Sequence, residues 1–195
     1  MEKKIKCRAA ILFDMGLSRP FATSKPVRVE EIELDPPGFG EVLVKVSAAG
    51  LCHSDLSVVN GNRPRAMPMV LGHEGSGIIE TLGDGVENFK VGDHVVFVFV
   101  PSCGNCIPCK EGRPALCEPG LAAGGAGTLL SGEKRIRLNG DLINHQVGVS
   151  CFAEYTVVSC KSLVKVEKNL PLDEAALFGC AVITGAGAVF NTANI

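Results

Sequence analysis

The sequence predicts a mainly β fold with a few helices, and three observations carry that prediction. Short runs of alternating or β-branched residues recur along the first two thirds of the chain, as half-buried strands require. Turn residues separate them at short intervals, drawn from 23 glycines and 11 prolines. Sustained helical patterning appears only near the end, in the Ala-rich stretch after Pro171. Short strands with glycine turns between them point to an all-β barrel.

The elements follow in order. Residues 5–13 and 27–34 read as strands joined by a turn-rich segment around Ser18–Pro26. Pro36-Pro37-Gly38 is a turn, and Glu41–Ala48 alternates as a strand should. Cys52–Val59 fits one or two helical turns. Val70–Gly72 leads into a strand over Gly75–Leu82, closed by Gly83-Asp84-Gly85, and Val91-Gly92-Asp93 turns the chain into a strand at Val95–Phe99. Residues 101–118 form a Cys-, Pro- and Gly-rich lobe with little periodicity. Residues 119–148 read as loop, and the tract Ala122–Gly127 as a flexible surface loop. Strand character returns at Phe152–Val158 and Leu163–Val166. A helix then opens at Pro171-Leu172-Asp173-Glu174, with Asp173 as its N-cap, and runs through Cys180 towards Phe190.

Composition excludes several classes. Hydrophobic residues at 46% and charged residues at 21% give an ordinary globular balance, against disorder as the main state. The formal net charge of -2 lacks the basic excess of a nucleic-acid binder. Apolar runs such as Val95–Val100 fall far short of the ~20 residues of a membrane helix. The N-terminal apolar run Ala9–Phe13 stops at Asp14, too short for a secretory leader. The expectation is therefore a cytoplasmic protein with no nucleic-acid or membrane partner, whose nine cysteines stay reduced and favour metal over disulfides.

Cys103, Cys106, Cys109 and Cys117 fall within fifteen residues. Two residues between cysteines let a tight turn aim both sulfurs at one point, with Gly104 and Pro108 as turn residues. Four thiolates close a tetrahedral zinc and leave no open position, so a site of this kind is structural. A redox Cys-x-x-Cys is the rival reading, and four unrelated buried thiols the bland one. Cys52, His73 and Cys180 are each weak alone: a buried thiol, a satisfied core histidine, a small hydrophobe in a helix. Together they suit a catalytic zinc, which takes three protein ligands and leaves a fourth position open.

The run Gly50–Asp55 (GLCHSD), then Gly72-His73-Glu74-Gly75, then Gly92-Asp93-His94-Val95, then the four-cysteine lobe, resembles the zinc-dependent medium-chain alcohol dehydrogenases in their long-chain, two-zinc branch. Gly148–Val158 and the segment Cys180–Gly185 fit the same pattern, so the likeness covers essentially all 195 residues. It implies a GroES-like, partly open β-barrel over 1–181 with the zinc lobe at 101–118. Residues 182–195 are then a helix leading towards a dinucleotide-binding domain. It implies two zinc ions per chain, one on Cys52, His73 and Cys180 and one on the four lobe cysteines, with NAD or NADP as hydride acceptor. Ser54 would hydrogen-bond the substrate hydroxyl, Asp55 would hold the far nitrogen of His73, and Glu74 would sit behind the metal. His53 would contact the coenzyme pyrophosphate, and Thr184 would approach the nicotinamide. Phe99, Arg63, Gln146 and Val147 would line the substrate cleft. The implied reaction is hydride transfer between an alcohol and a nicotinamide, with Ser54 passing the hydroxyl proton outward because a hydroxyl both donates and accepts.

The sequence departs from the family in places. The relay histidine found two residues beyond the Asp55 position is Ser57 here, which leaves His53 or solvent as the outlet. Arg63 and Gln146 are more polar than an ethanol-type lining, which implies a substrate with a second polar group unless both side chains turn to solvent. The Gly-x-Gly-x-x-Gly of a Rossmann domain does not occur, so this chain is expected to bind coenzyme weakly and turn over little by itself. The partner implied is a small alcohol or aldehyde. Homodimers or homotetramers are implied for an intact enzyme, and a monomer is allowed for this chain. Alternatives are a glutathione-adduct dehydrogenase, of the S-(hydroxymethyl)glutathione type, and a non-catalytic zinc module.

Overall fold

The computed structural model describes residues 4–193 and 195. Eleven strands fall into two sheets among these residues. β1 (Ile5–Leu12) and β2 (Val27–Leu34) pair antiparallel in full register, Ile5 opposite Leu34 and Leu12 opposite Val27. Their alternation is the cause: Cys7, Ala9 and Ile11 are buried while Lys6 and Arg8 face out. β4 (Met69–Val70), β7 (Ile136–Leu138), β8 (Asp141–Leu142) and β9 (Asn144–His145) extend this first sheet in the order β8-β7-β2-β1-β4-β9. The second sheet runs β10-β3-β5-β6-β11, built from β3 (Glu41–Ala49), β5 (Gly75–Leu82), β6 (His94–Phe97), β10 (Tyr155–Ser159) and β11 (Leu163–Val166).

The residues just before β10 stitch the sheets together. Ala10 N–H donates to the Phe152 carbonyl at 2.8 Å, and Ala9 and Ala153 form a bridge, while β10 itself pairs with β3. The seam closes one side and yields a mainly β, nearly closed barrel. One core lies under β1 and β2 around Ile11, Ile32, Leu34, Val70, Leu129 and Val157, and another under β3 and β5 around Val44, Ile79, Val95, Phe97 and Val158. No single helix among the described residues is long and apolar enough to cross a membrane.

Four expectations are corrected. The segment 119–148 is not a loop: it holds α4 (Glu118–Ala126) and the strands β7, β8 and β9. The helices before α4 are α1 (Phe21–Ser24), α2 (His53–Val59) and α3 (Ile107–Lys110). Most of the Ala122–Gly127 tract is helix, ended by Gly127 in the left-handed region. Gly120 and Gly124, four apart on one face, are buried, and a side chain at Gly120 would meet the Pro101 carbonyl. The glycines that read as flexibility let this helix lie close against its neighbours. Asp173 is not an N-cap: α5 (Leu172–Ala175) starts one residue earlier, behind Pro171, with no side-chain cap.

The terminal helix also does not run through Cys180. After α5 a 3-10 turn covers Ala176–Gly179. Cys180 leaves helical geometry at φ -140° and ψ -70°, and α6 (Ala181–Gly187) starts anew. The break sits where Gly179 presses on the Phe97 carbonyl so closely that a Cβ there would overlap it. That close approach docks the segment on β6.

Candidate metal centre and cleft

Three distant pieces of chain bring Cys52, His73 and Cys180 together. Cys52 caps α2, His73 lies in the turn before β5, and Cys180 occupies the helix break. One ligand atom from each lies within 4.8 Å of the others. The Cys180 and Cys52 sulfurs are 3.8 Å apart, and Cys180 Sγ is 3.5 Å from His73 Nε2. A tetrahedral zinc with Zn–S of ~2.3 Å and Zn–N of ~2.0–2.1 Å sets these separations at roughly 3.8 and 3.5 Å. The donor set and its spacing therefore fit zinc.

Behind the ligands lies a buried polar network. His73 Nδ1 and Asp55 Oδ1 are 2.8 Å apart, which leaves Nε2 for a metal. Asp55 Oδ2 accepts from the Cys52 N–H at 3.0 Å, and Oδ1 accepts again from Gln146 Nε2 at 2.8 Å. Gln146 Oε1 accepts from the Gly72 N–H, the residue just before His73. The amide orientation follows from chemistry: a carboxylate only accepts, and a backbone N–H only donates. Glu74, also buried, accepts from the Ala181 N–H at 3.1 Å.

Electrostatics suit a cation at the centre. Burial pushes the Cys180 thiol up to about 12, helped by the neighbouring Cys52 sulfur. Burial pushes Cys52 up too, but hydrogen bonds from Ser54, His73 and Cys180 outweigh it and hold this thiol below its ordinary value. For His73, burial opposes the charged form, yet the Asp55 hydrogen bond and charge prevail and raise it.

An open cavity of about 420 Å³ adjoins the three ligands. Ser54 Oγ stands in it, 3.2 Å from Cys52 Sγ and 3.2 Å from His73 Nε2. Phe99 meets the His73 ring edge-on at 5.7 Å, and Arg63, Val147 and Thr184 line the walls. Val147 is held at φ 46°, strained for a β-branched residue. Arg65 and Val58 also line it, and the sequence reading passed over both. Gln146 reaches the cavity, but its amide is spent on Asp55 and Gly72 and offers little to a substrate. His53 is exposed and opens on a neighbouring groove beside Leu51 and Phe21, with Nδ1 3.5 Å from the Ser57 hydroxyl.

The second cluster is local. The sulfurs of Cys103, Cys106, Cys109 and Cys117 all lie within 4.8 Å of one another. Backbone N–H groups point at them: Asn105 and Cys106 donate to Cys103 Sγ, and Cys103 to Cys117 Sγ. The first two lower the Cys103 thiol to about 6, while desolvation pushes Cys109 up to about 12. Four converging sulfurs match a closed zinc site.

Comparison with known proteins agrees with this geometry. Residues 38–168 match the family model described as "Alcohol dehydrogenase GroES-like domain". The chain is 42% identical to alcohol dehydrogenase class-3 of Drosophila melanogaster, over 99% of this chain and 49% of that protein. It is 41% identical to S-(hydroxymethyl)glutathione dehydrogenase of Synechocystis sp., over 98% of this chain and 50% of that one. It superposes with a TM-score of 0.87 and 34% identity on an alcohol dehydrogenase zinc-binding domain protein from Burkholderia ambifaria, over 97% of this chain and 50% of that chain. The chain thus spans about half the length of the curated relatives it matches. With barrel, ligand geometry and family model in agreement, the chain belongs to the alcohol dehydrogenase GroES-like family, the zinc-dependent medium-chain dehydrogenases.

Proposed function

We propose that this chain is the zinc-holding catalytic domain of an alcohol:NAD(P) oxidoreductase, and that the cleft beside Cys52, His73 and Cys180 takes the hydroxyl or carbonyl end of a small alcohol or aldehyde. The observation that carries the reading is the three-ligand cluster with a cavity on its open side. Cys52, His73 and Cys180 would hold the catalytic zinc, and the four lobe cysteines a structural one. When bound, the catalytic zinc supplies a Lewis acid that lowers the pKa of an oxygen it meets, and the nicotinamide supplies the hydride acceptor.

This chain's residues would do the rest. Asp55 fixes the His73 ring with Nε2 towards the metal. Ser54 Oγ lies close enough to the ligands to accept a substrate proton and pass its own outward. From there His53, the neighbouring residue in the chain with Ser57 beside it, is the proposed outlet, although it faces a different groove. Thr184, which lines the cleft, is proposed to face the nicotinamide, and His53 the pyrophosphate. Formal charge divides the two sites: four thiolates around Zn2+ give -2, whereas two thiolates and a neutral histidine give zero. The neutral site keeps more Lewis acidity for the substrate.

Relatives named S-(hydroxymethyl)glutathione dehydrogenase favour a second substrate reading, a glutathione adduct. The test of the main reading is zinc per chain by elemental analysis on metal-replete protein. Two zinc ions, falling to one in Cys52→Ala, are expected. One zinc in both proteins would refute a metal at Cys52 in this chain.

A further inference from the structure

Arg63 and Arg65 stand apart from the other arginines. Arg8, Arg113, Arg135 and Arg137 each pair with a carboxylate. Arg19 bonds Asn60 and lies over Phe21, and Arg28 stacks on Phe13 at 3.7 Å. Among the described residues no carboxylate lies within 4.0 Å of either Arg63 or Arg65. Arg65 spends one donor on the Pro64 carbonyl and keeps the rest of its fork.

Both arginines line the same cavity as Ser54 and His73, and among the described residues no acidic side chain lines it. The site's two carboxylates are turned away. Asp55 is consumed by His73, Cys52 and Gln146, and Glu74 by Ala181. The segment that carries the pair is held in place: Arg63 N–H donates to the Ser57 carbonyl at 3.0 Å, and Pro64 stiffens the link between them. A loaded metal site is formally neutral, so the cleft has a positive wall on a chain whose net charge is -2.

We infer that the cleft is built for an alcohol or aldehyde with an oxyanion, a carboxylate or phosphate monoester, at the end away from the reacting oxygen, and that Arg63 and Arg65 bind that oxyanion. Guanidinium forks match both anions in a planar, bidentate geometry that lysine cannot copy. The inference rests on the proposed function, which places the reacting end at Ser54.

The test separates the two ends of the ligand. The zinc-loaded chain is titrated with a series of ω-hydroxycarboxylates from glycolate to 6-hydroxyhexanoate, with the monophosphate of hexanediol, and with hexanediol itself. Binding is followed at the arginine Nε–H resonances by NMR. The hydroxyl end is read separately, from the visible bands of cobalt-substituted protein. An oxyanion bound about tenfold or more tighter than the diol is expected, equivalent to one well-formed charge-assisted contact. The preference should shift both arginine resonances, weaken with salt, collapse in the double variant Arg63→Gln/Arg65→Gln, and persist in part with lysine at both positions. The tighter of the carboxylate and phosphate arms identifies the anion. Equal affinity for diol and oxyanion, or a preference that survives the glutamine variant, overturns the inference. If both ligand types still move the cobalt bands, that failure leaves the proposed function intact. An oxyanion preference with cobalt bands moved by neither ligand would support the arginine site and overturn the proposed function instead.

Discussion

Replacing Gln146 by leucine removes two hydrogen bonds at once from beneath His73. The side chain is buried; its amide donates to Asp55 and accepts from the Gly72 N–H. Leucine fills most of the volume but satisfies neither group. The stranded Gly72 N–H costs about 1–3 kcal/mol, and the lost bond to the Asp55 carboxylate about 1.5–3 kcal/mol. Allowing for relaxation, a loss of about 3–5 kcal/mol is expected, a large share of the ~5–15 kcal/mol that keeps a domain folded. Denaturant unfolding of zinc-loaded chain, with zinc retention measured on the same samples, gives the readout. Gln146→Glu sharpens the test. A glutamate can only accept when ionised, so it faces Asp55 with like charge and strands Gly72 less than leucine does. At pH 8 it should be less stable than Gln146→Leu, and the gap should narrow as acid protonates the new carboxyl. Stability within about 1 kcal/mol of wild type for Gln146→Leu, or a Glu variant insensitive to pH, would refute the network's role.

Two further outcomes follow from the buried interior. His145 is pushed down to about 3 by burial, with Lys134 and Arg135 adding repulsion, so the native state keeps it neutral while the unfolded chain takes a proton below about pH 6.5. Its contribution is therefore present above pH 6.5 and is lost as pH falls, by roughly 2 kcal/mol at pH 5. In His145→Leu, stability between pH 7 and 5 should fall less steeply by about that amount, whatever the variant's absolute stability; identical slopes would show that the ring is protonated when folded. Gly72→Ala should cost about 2–4 kcal/mol by urea unfolding, because φ is +99° and the added methyl would meet the Phe152 backbone and ring. A loss below about 1 kcal/mol would mean that the turn before His73 can yield.

What the sequence made legible was what is local. β2, β5 and β11 stand on the residues expected of them, 27–34, 75–82 and 163–166, because short strand-forming runs are bounded there by local turn residues. The four lobe cysteines were legible for the same reason, since fifteen residues of chain can form the cluster alone. The hairpin between β7 and β8 was legible but passed over: Asn139-Gly140, both at positive φ, is a two-residue turn signal. α4 hid because its packing face is made of glycines, which leave no apolar stripe to detect. Gln146 was placed in the cleft by resemblance. Which way its amide points is decided by Asp55 and Gly72, and neither is near it in sequence.

The two cysteine clusters also differ in what they demand of the fold. The lobe needs a few turns, whereas Cys180 and Cys52 stand 128 positions apart and meet only after the sheets have closed. Ordering so long a loop carries a closure cost that local contacts do not repay. The repayment comes from Gly179 docked on Phe97, from the Glu74 carboxylate receiving the Ala181 N–H, and from the Asp55 network under His73. The first docks its segment on the barrel, the second ties the Cys180 segment to that of His73, and the third ties His73 to the segment of Cys52. The three donor atoms are thus positioned by the second sheet and its turns, with Ser54 and the cavity left on the open side. A site held from behind in this way can keep one face free for a substrate, which four mutually packed cysteines cannot.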